Sequence, residues 1–117
     1  MKDYRKIQVW QRSHVLTVEI YRLTKLFPKE EMFGLTSQMR RAASSIPANI
    51  VEGAGRDGDP EFKRFLIIAL GSASELDYFI LLSTELGYIE QTAAKNTAAE
   101  IQEIRRMLGG FIQKLKA

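Results

Sequence analysis

Apolar residues recur every three to four positions in four separate windows of this sequence, and no window alternates apolar and polar residues with a period of two. The first window shows the pattern most simply, with apolar side chains seven, four, three and four positions apart (Val9, Leu16, Ile20, Leu23 and Phe27). This spacing places apolar side chains on one face of an α-helix, whereas a strand would require alternation. The sequence therefore predicts an all-α protein with four helices and no strands.

Proline and glycine predict where the helices end, and the predicted ranges are about 9–26, 34–52, 59–86 and 92–115. Phe27-Pro28 should end the first helix, because proline pushes the residue before it out of the helical region. Gly87 should end the third helix, and Gly109-Gly110 inside the fourth predicts either close packing or a soft last turn. Connections of six to nine residues favour antiparallel neighbours, so we expect a single up-down-up-down bundle over residues 1–117.

The second and third helices carry the clearest local signals. Thr36 and Ser37 are available as caps for the second helix, and Pro47 inside it should remove a hydrogen bond and bend it. The glycine-rich segment 53–55 should close that helix in the left-handed conformation. Asp59 is a suitable N-cap for the third helix, because its side-chain oxygen can accept a hydrogen bond from a free backbone N–H. Pro60 follows at the first helical position, where proline is tolerated.

Composition excludes several classes of protein and site. The 117 residues contain no cysteine, which removes disulfides, thiolate catalysis and thiolate metal sites, and suits a reducing cytoplasm. No apolar run approaches the roughly 20 residues that span a bilayer, and no signal-peptide apolar region follows the charged N-terminus. We therefore expect a cytoplasmic protein with no membrane partner.

The third helix carries more apolar surface than one bundle core can use. Its core face is clear, and further apolar side chains lie on the opposite side (Ile67, Leu70, Tyr78 and Leu81). A helix that is apolar nearly all round is buried nearly all round. With only four helices available, another subunit is the expected cover, so the sequence predicts a homo-oligomer. A second stripe on the first helix, Trp10, His14, Thr17 and Tyr21, supports this interpretation.

A ribbon of polar residues runs beside the apolar stripe of the second helix and into the third. Its members lie three or four positions apart (Arg41, Ser45, Asn49, Glu52 and Arg56), and we add Gln38 and Glu75 to the ribbon as further candidates for the same network. Charges set among small and apolar neighbours are usually paired for structural reasons. We therefore predict a buried or interfacial network. The alternative is acid–base chemistry by Glu52 and Glu75 in a site between subunits.

Other chemical signals are weak, so we predict no catalytic residue, cofactor or metal. The single histidine, His14, has no nucleophile or carboxylate at a recognisable spacing and cannot supply a di-iron bundle site. The acidic segment 57–61 lacks the sixth-position glycine and the twelfth-position acid of a calcium loop. Segment 53–56 lacks the strand and the lysine of a phosphate-binding loop.

Basic residues concentrate at the N-terminus. The net charge is only +3, but residues 1–26 carry six Lys or Arg against two acids, and residues 57–86 carry two against six. Four of the basic residues are candidate contacts for nucleic-acid phosphates (Lys2, Arg5, Lys6 and Arg12). Lys114 and Lys116 are expected at the opposite pole, so one subunit would offer few contacts and bind weakly and without sequence preference.

The polar ribbon lies within a longer motif that resembles a known family. From Leu35 the chain reads Leu-Thr-Ser-Gln-Met-Arg-Arg-Ala-Ala, followed from Ser45 by Ser-Ile-Pro-x-Asn-Ile-x-Glu-Gly-x-Gly-Arg. The motif is similar to the signature of the four-helix bundle proteins encoded in 23S rRNA intervening sequences. Phe62, Phe65-Leu66, Ala69, Gly71-Ser72 and Glu75 continue it, as does the turn at residues 86–89. Val51 stands where the family usually has alanine.

This resemblance covers nearly the whole chain, and it implies an antiparallel four-helix bundle that assembles as a ring, with a homopentamer as the expected size. It also implies kinship with the accessory protein of diversity-generating retroelements, a basic pentameric barrel that works with a reverse transcriptase and nucleic acid. No biochemical activity is established for the intervening-sequence proteins themselves.

Three functional hypotheses follow. The first is a non-enzymatic oligomeric module that binds RNA, DNA or a nucleic-acid enzyme through a basic surface. The second is a protein–protein adaptor without a nucleic-acid role. The third is an enzyme whose site is built between subunits from five residues of the ribbon (Arg41, Asn49, Glu52, Arg56 and Glu75). The missing metal ligands and nucleophile pairs favour the first.

Overall fold

The computed structural model describes residues 2–115 and builds them from helices. The four α-helices are α1 (Gln8–Thr24), α2 (Leu35–Ala54), α3 (Asp59–Glu85) and α4 (Gln91–Lys114). Two short 3-10 helices precede α1 and α2, at Tyr4–Lys6 and Lys29–Glu31. No strand occurs in this part of the chain, so the prediction of an all-α four-helix bundle is confirmed.

Each helix packs against the next one along the chain, and α1 also packs against α4, whereas the backbones of α1 and α3 do not come close to each other. This arrangement is an up-down-up-down bundle with α1 and α3 at opposite corners. The α1–α4 side is the most loosely packed. One continuous core fills the centre, with fully buried side chains from all four helices (among them Ile20, Met39, Ile46, Phe62, Leu66, Leu76, Ile101 and Leu108).

The start of α2 is capped by a residue that precedes it by four positions. The Glu31 carboxylate accepts hydrogen bonds from the Leu35 backbone N–H at 3.2 Å and from the Tyr88 hydroxyl at 3.0 Å. The prediction that Thr36 or Ser37 caps this helix is therefore wrong, because α2 begins at Leu35 and Thr36 is already inside it. Glu31 also ties the α1–α2 connection to the turn between α3 and α4.

Gly53 is needed for close packing between α2 and α3. A Cβ atom at this position would lie 2.8 Å from Cβ of Phe65 and 3.0 Å from Cδ1 of Phe62. The prediction of a left-handed helix end at residues 53–55 is wrong, because the chain continues as helix through Ala54 and Gly55 has a φ of −84°. The absence of a side chain at Gly53 therefore allows α2 and α3 to pack closely, and no left-handed backbone conformation is involved.

The left-handed conformation occurs instead at Gly58 and Gly87, with φ values of 81° and 79°. Gly87 follows the end of α3, as the sequence predicts. Gly58 turns the chain into α3, which begins at Asp59 itself. The prediction that Asp59 is the N-cap of α3 is therefore wrong, because Asp59 is already the first helical residue. Its side chain makes no capping hydrogen bond and pairs with Lys2 at 3.6 Å.

By length and composition alone, α3 is long and apolar enough to cross a membrane. The prediction that no segment reaches this apolarity is therefore wrong for this helix. The central helix of a water-soluble bundle passes the same test, and a third of the apolar window of α3 is buried in the subunit. The exposed apolar residues of α3, Ile67, Ile68, Tyr78 and Leu81, include the surplus that the sequence indicates.

Candidate functional site

The N-terminus of α1 and the C-terminus of α4 lie at the same pole of the bundle. Lys6 and Lys114 line one groove there, so the prediction that Lys114 lies at the opposite pole is wrong. The reason is topological, because three reversals of direction bring the end of a fourth helix back to the start of the first. Lys116, which the sequence groups with Lys114, lies outside the described residues.

This groove has a volume of about 560 Å³ and combines a basic rim with an apolar floor. Ile7, Val9, Met107 and Phe111 contribute apolar side chains, and Lys6, Arg106 and Lys114 contribute cations. Arg106 is paired with Glu103, and this hydrogen bond lowers the pKa of the Glu103 carboxyl. Among residues 2–115, Lys6 and Lys114 have no acidic partner.

Gly110 also borders this groove, and neither it nor Gly109 is closely packed. A Cβ atom at either position would meet nothing within 4 Å. Within the subunit, the close packing that the sequence associates with this glycine pair does not occur. The pair lies inside α4, which continues as helix to Lys114.

The other predicted phosphate contacts differ in whether a carboxylate of the same chain already pairs with them. Arg5 is exposed, and its guanidinium lies 4.8 Å from the Tyr4 ring centroid. Lys2 is engaged, because its ammonium lies 3.6 Å from the Asp59 carboxylate and 4.9 Å from the Phe62 ring centroid. We use the term basic pole for Arg5, Lys6 and Lys114, which are the exposed cations at this end that no carboxylate of the described chain neutralises.

Arg12 belongs to a contact between helices. Its guanidinium donates hydrogen bonds of 2.9 and 2.7 Å to the two carboxylate oxygens of Glu100, and it lies 3.8 Å from Glu103. The hydrogen bond to Glu100 is the main cause of the raised pKa of Arg12. The two carboxylates compete with any phosphate for this cation, so Arg12 is a poor candidate for nucleic-acid contact.

The polar ribbon does not form a buried network within the subunit. Gln38, Arg41, Glu52, Arg56 and Glu75 are all exposed, although Arg56 pairs with Glu52 one turn earlier at 2.9 Å. Ser45 and Asn49 are partly buried, and the Asn49 amide donates to the backbone carbonyl of Ser45 at 2.7 Å. An interfacial network stays a prediction, whereas the buried alternative is not found in the single chain.

The outer face of α3 is apolar and open to solvent. Ile67, Tyr78 and Leu81 are 50%, 56% and 55% exposed. Leu70 differs from the prediction, because it is partly buried and packs against the core of its own subunit. Gly71 lies on the exposed side of the helix, and a Cβ atom there would meet nothing within 4 Å.

A second apolar surface, which sequence reasoning missed, surrounds Phe33. This side chain is 95% exposed in the connection before α2, and Met32 beside it is also exposed. Both border a groove of about 460 Å³ that reaches Tyr21 of α1 and the two arginines at the start of α2, Arg40 and Arg41. The sequence signal was the pair Met32-Phe33, two large apolar residues in a short connection that no helical stripe includes.

The single histidine is part of an aromatic stack on the surface of α1. Its imidazole lies parallel to the Trp10 indole at 5.2 Å between ring centroids, and Tyr4 meets the same indole edge-on at 4.9 Å. Across residues 2–115, no three His, Asp or Glu side chains are grouped so that they could hold a metal ion. The arrangement of His14 therefore indicates surface packing.

Comparison with known proteins identifies similar sequences and structures. The family described as 23S rRNA-intervening sequence protein matches residues 5–110 of the chain. A crystal structure of a protein of unknown function from the S23 ribosomal protein family of Bacteroides thetaiotaomicron is similar, with a TM-score of 0.84 and 29% sequence identity. The match covers 91% of this chain and 96% of that one. A comparison with curated proteins gives no match.

Proposed function

The chain belongs to the 23S rRNA-intervening sequence protein family, and from this premise we propose that it is a non-enzymatic, self-assembling bundle that binds nucleic-acid phosphates through the basic pole. The observation that supports this most is the groove at that pole. It brings Lys6 of the N-terminal segment and Lys114 of α4 together without a neutralising carboxylate. Cations placed in this way attract phosphates and release their counterions.

One subunit offers only a few such contacts, so the affinity of a single basic pole for a strand should be about 10⁻⁴–10⁻⁶ M. Assembly changes this expectation, because a ring presents the same pole several times. A strand long enough to reach several copies then gains avidity without any new kind of contact. The aromatic side chains beside Arg5 pack against one another, Tyr4 on Trp10 and Trp10 on His14, so we expect no stacking of bases on them and binding that is insensitive to sequence.

The exposed side of α3 supports self-assembly. Ile67, Tyr78 and Leu81 are exposed on one side of a helix whose other side fills the core, with the small residues Gly71 and Ser74 between Ile67 and Tyr78. Apolar surfaces of this kind on a small domain mark places that another protein covers. A ring, with a pentamer as the expected size, is the assembly that the family resemblance implies.

The placement of the polar ribbon argues against an enzyme. The two carboxylates that could perform acid–base chemistry, Glu52 and Glu75, are exposed, and Glu52 is already paired with Arg56. If an assembly-dependent hydrolytic activity were detected and Glu52→Gln abolished it without loss of stability, the inter-subunit enzyme hypothesis would replace ours.

Fluorescence anisotropy with a long and a short single strand, across a salt series, tests the proposal. We expect tighter binding of the long strand and a steep loss of affinity with added salt. Equal affinity for both strands would contradict the avidity that a repeated basic pole provides. Absence of binding at about 50 mM salt would reject the nucleic-acid role and leave the protein–protein adaptor as the better hypothesis. The cytoplasmic location and the absence of a membrane partner stay predictions.

A further inference from the structure

The groove at the basic pole has an apolar floor that phosphate binding does not use. Ile7, Met107 and Phe111 line the groove and pack against the core, yet each of these side chains stays partly accessible to solvent. The groove volume of about 560 Å³ lies within the range of about 300–1,000 Å³ that small-molecule sites occupy. Such sites combine a mostly apolar lining with a few polar groups that orient the ligand. The groove therefore has the size and the composition of a ligand site.

Gly110 leaves part of this groove free of side chains. It lies inside α4 and is exposed, and a Cβ atom there would meet nothing within 4 Å. Glycine is unfavourable inside a helix, and neither close packing within the subunit nor a positive φ accounts for it at this position. A larger side chain at this residue would take up part of the groove volume. The glycine therefore suits a groove that admits a ligand.

Positive charge borders the apolar floor. Lys6 and Lys114 line the groove, and no carboxylate of residues 2–115 pairs with either of them. The N-terminus of α1, where Gln8 and Val9 also line the groove, adds to this potential, because no side chain caps it and its first turn carries no acid. Free backbone N–H groups at a helix N-terminus favour an anion. A ligand with an anionic group beside an apolar part would satisfy both features of the groove.

The floor also determines which kind of apolar part fits. The side chains of Ile7, Met107 and Phe111 offer no strong hydrogen-bonding group, so a nucleic-acid base lying on them would lose water from its polar edges without gaining a partner. Among the described residues that line the groove, only Phe111 is aromatic, and its ring packs edge-on against Phe62 at 5.3 Å between centroids. A hydrocarbon chain has no polar edge to satisfy, so it suits this floor better than a base does.

We propose that this groove binds a single-chain fatty-acid anion, with the carboxylate at Lys6 and Lys114 and the hydrocarbon chain along the apolar floor. Burial of the chain contributes affinity through the hydrophobic effect, and the lysines select the sign of the head group. The inference goes beyond the proposed function, but it uses two cations of the basic pole. A fatty-acid anion and a nucleic-acid strand therefore compete for Lys6 and Lys114.

Isothermal titration calorimetry of the wild type with octanoate, decanoate and dodecanoate, each below its critical micelle concentration, tests the proposal. We expect the affinity to rise with chain length, by up to about fourfold for each methylene that the floor covers. Dodecyltrimethylammonium carries the same chain as a cationic amphiphile and should not bind. Absence of dodecanoate binding, equal affinity for the three carboxylates, or equally tight binding of the cationic amphiphile would overturn the proposal.

Gly110→Leu tests whether the chain occupies the groove. Leucine favours helices over glycine, and no atom within 4 Å obstructs the added Cβ, so the fold should be retained. The variant should weaken dodecanoate binding roughly tenfold or more, since each methylene that loses its contact costs about fourfold. Gly109→Leu is the matched control, because a Cβ there is equally unobstructed but Gly109 does not line the groove. The same affinity in both variants would show that the chain binds elsewhere.

The double variant Lys6→Gln, Lys114→Gln tests the role of charge. It should bind dodecanoate more weakly and lose the discrimination against dodecyltrimethylammonium, whereas the dependence on chain length should remain. Circular dichroism confirms that each variant is folded. Wild-type affinity for dodecanoate in this variant would show that the two lysines take no part in recognition, and it would contradict the proposal.

Competition separates this inference from the proposed function. Dodecanoate should displace a bound single strand in fluorescence anisotropy, and failure to displace it would contradict a shared use of Lys6 and Lys114. If no strand binds, the nucleic-acid role fails, whereas the calorimetry with dodecanoate still decides the fatty-acid site. Flotation with anionic phospholipid vesicles tests the other source of acyl chains. A protein that floats with the vesicles but does not bind dodecanoate in solution would have a membrane surface as its partner, which would overturn the proposal.

Discussion

Arg12 of α1 and Glu100 of α4 are joined by two hydrogen bonds, of 2.9 and 2.7 Å, across the side of the bundle where the helices pack most loosely. Glu103 lies 3.8 Å from the same guanidinium. From its position in the sequence, Arg12 was predicted to contact phosphates, but its guanidinium is bound by these two carboxylates. Its role is therefore to hold the first and last helices together.

Replacing Arg12 with glutamine should affect stability and leave nucleic-acid affinity almost unchanged. Half-exposed ion pairs contribute up to about 1 kcal/mol, so the free energy of unfolding should fall by that amount or less. Chemical denaturation measures the fall, and anisotropy measures the affinity. Arg22→Gln is the matched control, because Arg22 forms an exposed pair with Glu19 inside one helix. A loss of affinity equal to that of a Lys6 variant would show that Arg12 contacts phosphate.

The double variant Lys6→Gln, Lys114→Gln should bind nucleic acid more weakly than the wild type. Each lost phosphate contact should also reduce the slope of log affinity against log salt by roughly one. The control is Lys29→Gln, Lys95→Gln, which removes the same charge from exposed lysines at the opposite pole. If both double variants weaken binding equally, the basic pole has no special role and only net charge matters.

Gly53→Ala should destabilise the bundle even though alanine favours helices by about 1 kcal/mol over glycine. Its Cβ would lie 2.8 Å from Cβ of Phe65, so α2 and α3 would have to move apart. Overpacking of this kind costs about 1–3 kcal/mol. Gly109→Ala is the matched control, because a Cβ there meets nothing and should stabilise α4. Equal stabilisation by both substitutions in denaturant titrations would contradict the close approach at Gly53.

Tyr88→Phe should lower the melting temperature, and the difference from wild type should disappear at high pH. The Tyr88 hydroxyl donates to Glu31, and this bond raises the pKa of Tyr88 above its ordinary value of 10.0. A raised pKa in the folded state means that the contribution is complete below pH 10 and is lost as the pH rises through the raised value. The Phe27 contact at 5.3 Å should survive in the variant. Melting curves at pH 8 and pH 11 that differ equally from wild type would contradict this linkage.

The helices and the core could be predicted from the sequence because apolar periodicity is a local property. The burial of Phe62, Leu66 and Leu76 follows directly from it, whereas the approximate start of α3 follows from the local signal of Pro60. The surplus on α3 also appeared at the predicted positions, apart from Leu70. That side chain lies at the edge of the core face, where a few degrees of helix rotation decide between burial and exposure.

The sequence did not show which polar groups meet across helices. Arg12 is 88 positions from Glu100, and Glu31 is 57 positions from Tyr88, so neither pairing leaves a trace in local spacing. Gly53 was misread for a related reason, since a glycine that ends a helix and a glycine that admits a neighbouring helix look alike in one sequence. The position of Lys114 could have been predicted, because the number of helices alone determines the pole at which α4 ends.

Native mass spectrometry of the wild type mixed with one long single strand tests the central claim most directly, because it reports protein copies and strands in the same complex. We predict one dominant species that contains several 13.3 kDa chains and a single strand, and that loses the strand before the chains separate as salt is raised. A spectrum with only single chains, with or without the strand, or an assembly that never carries the strand, would contradict a self-assembling module that binds nucleic acid.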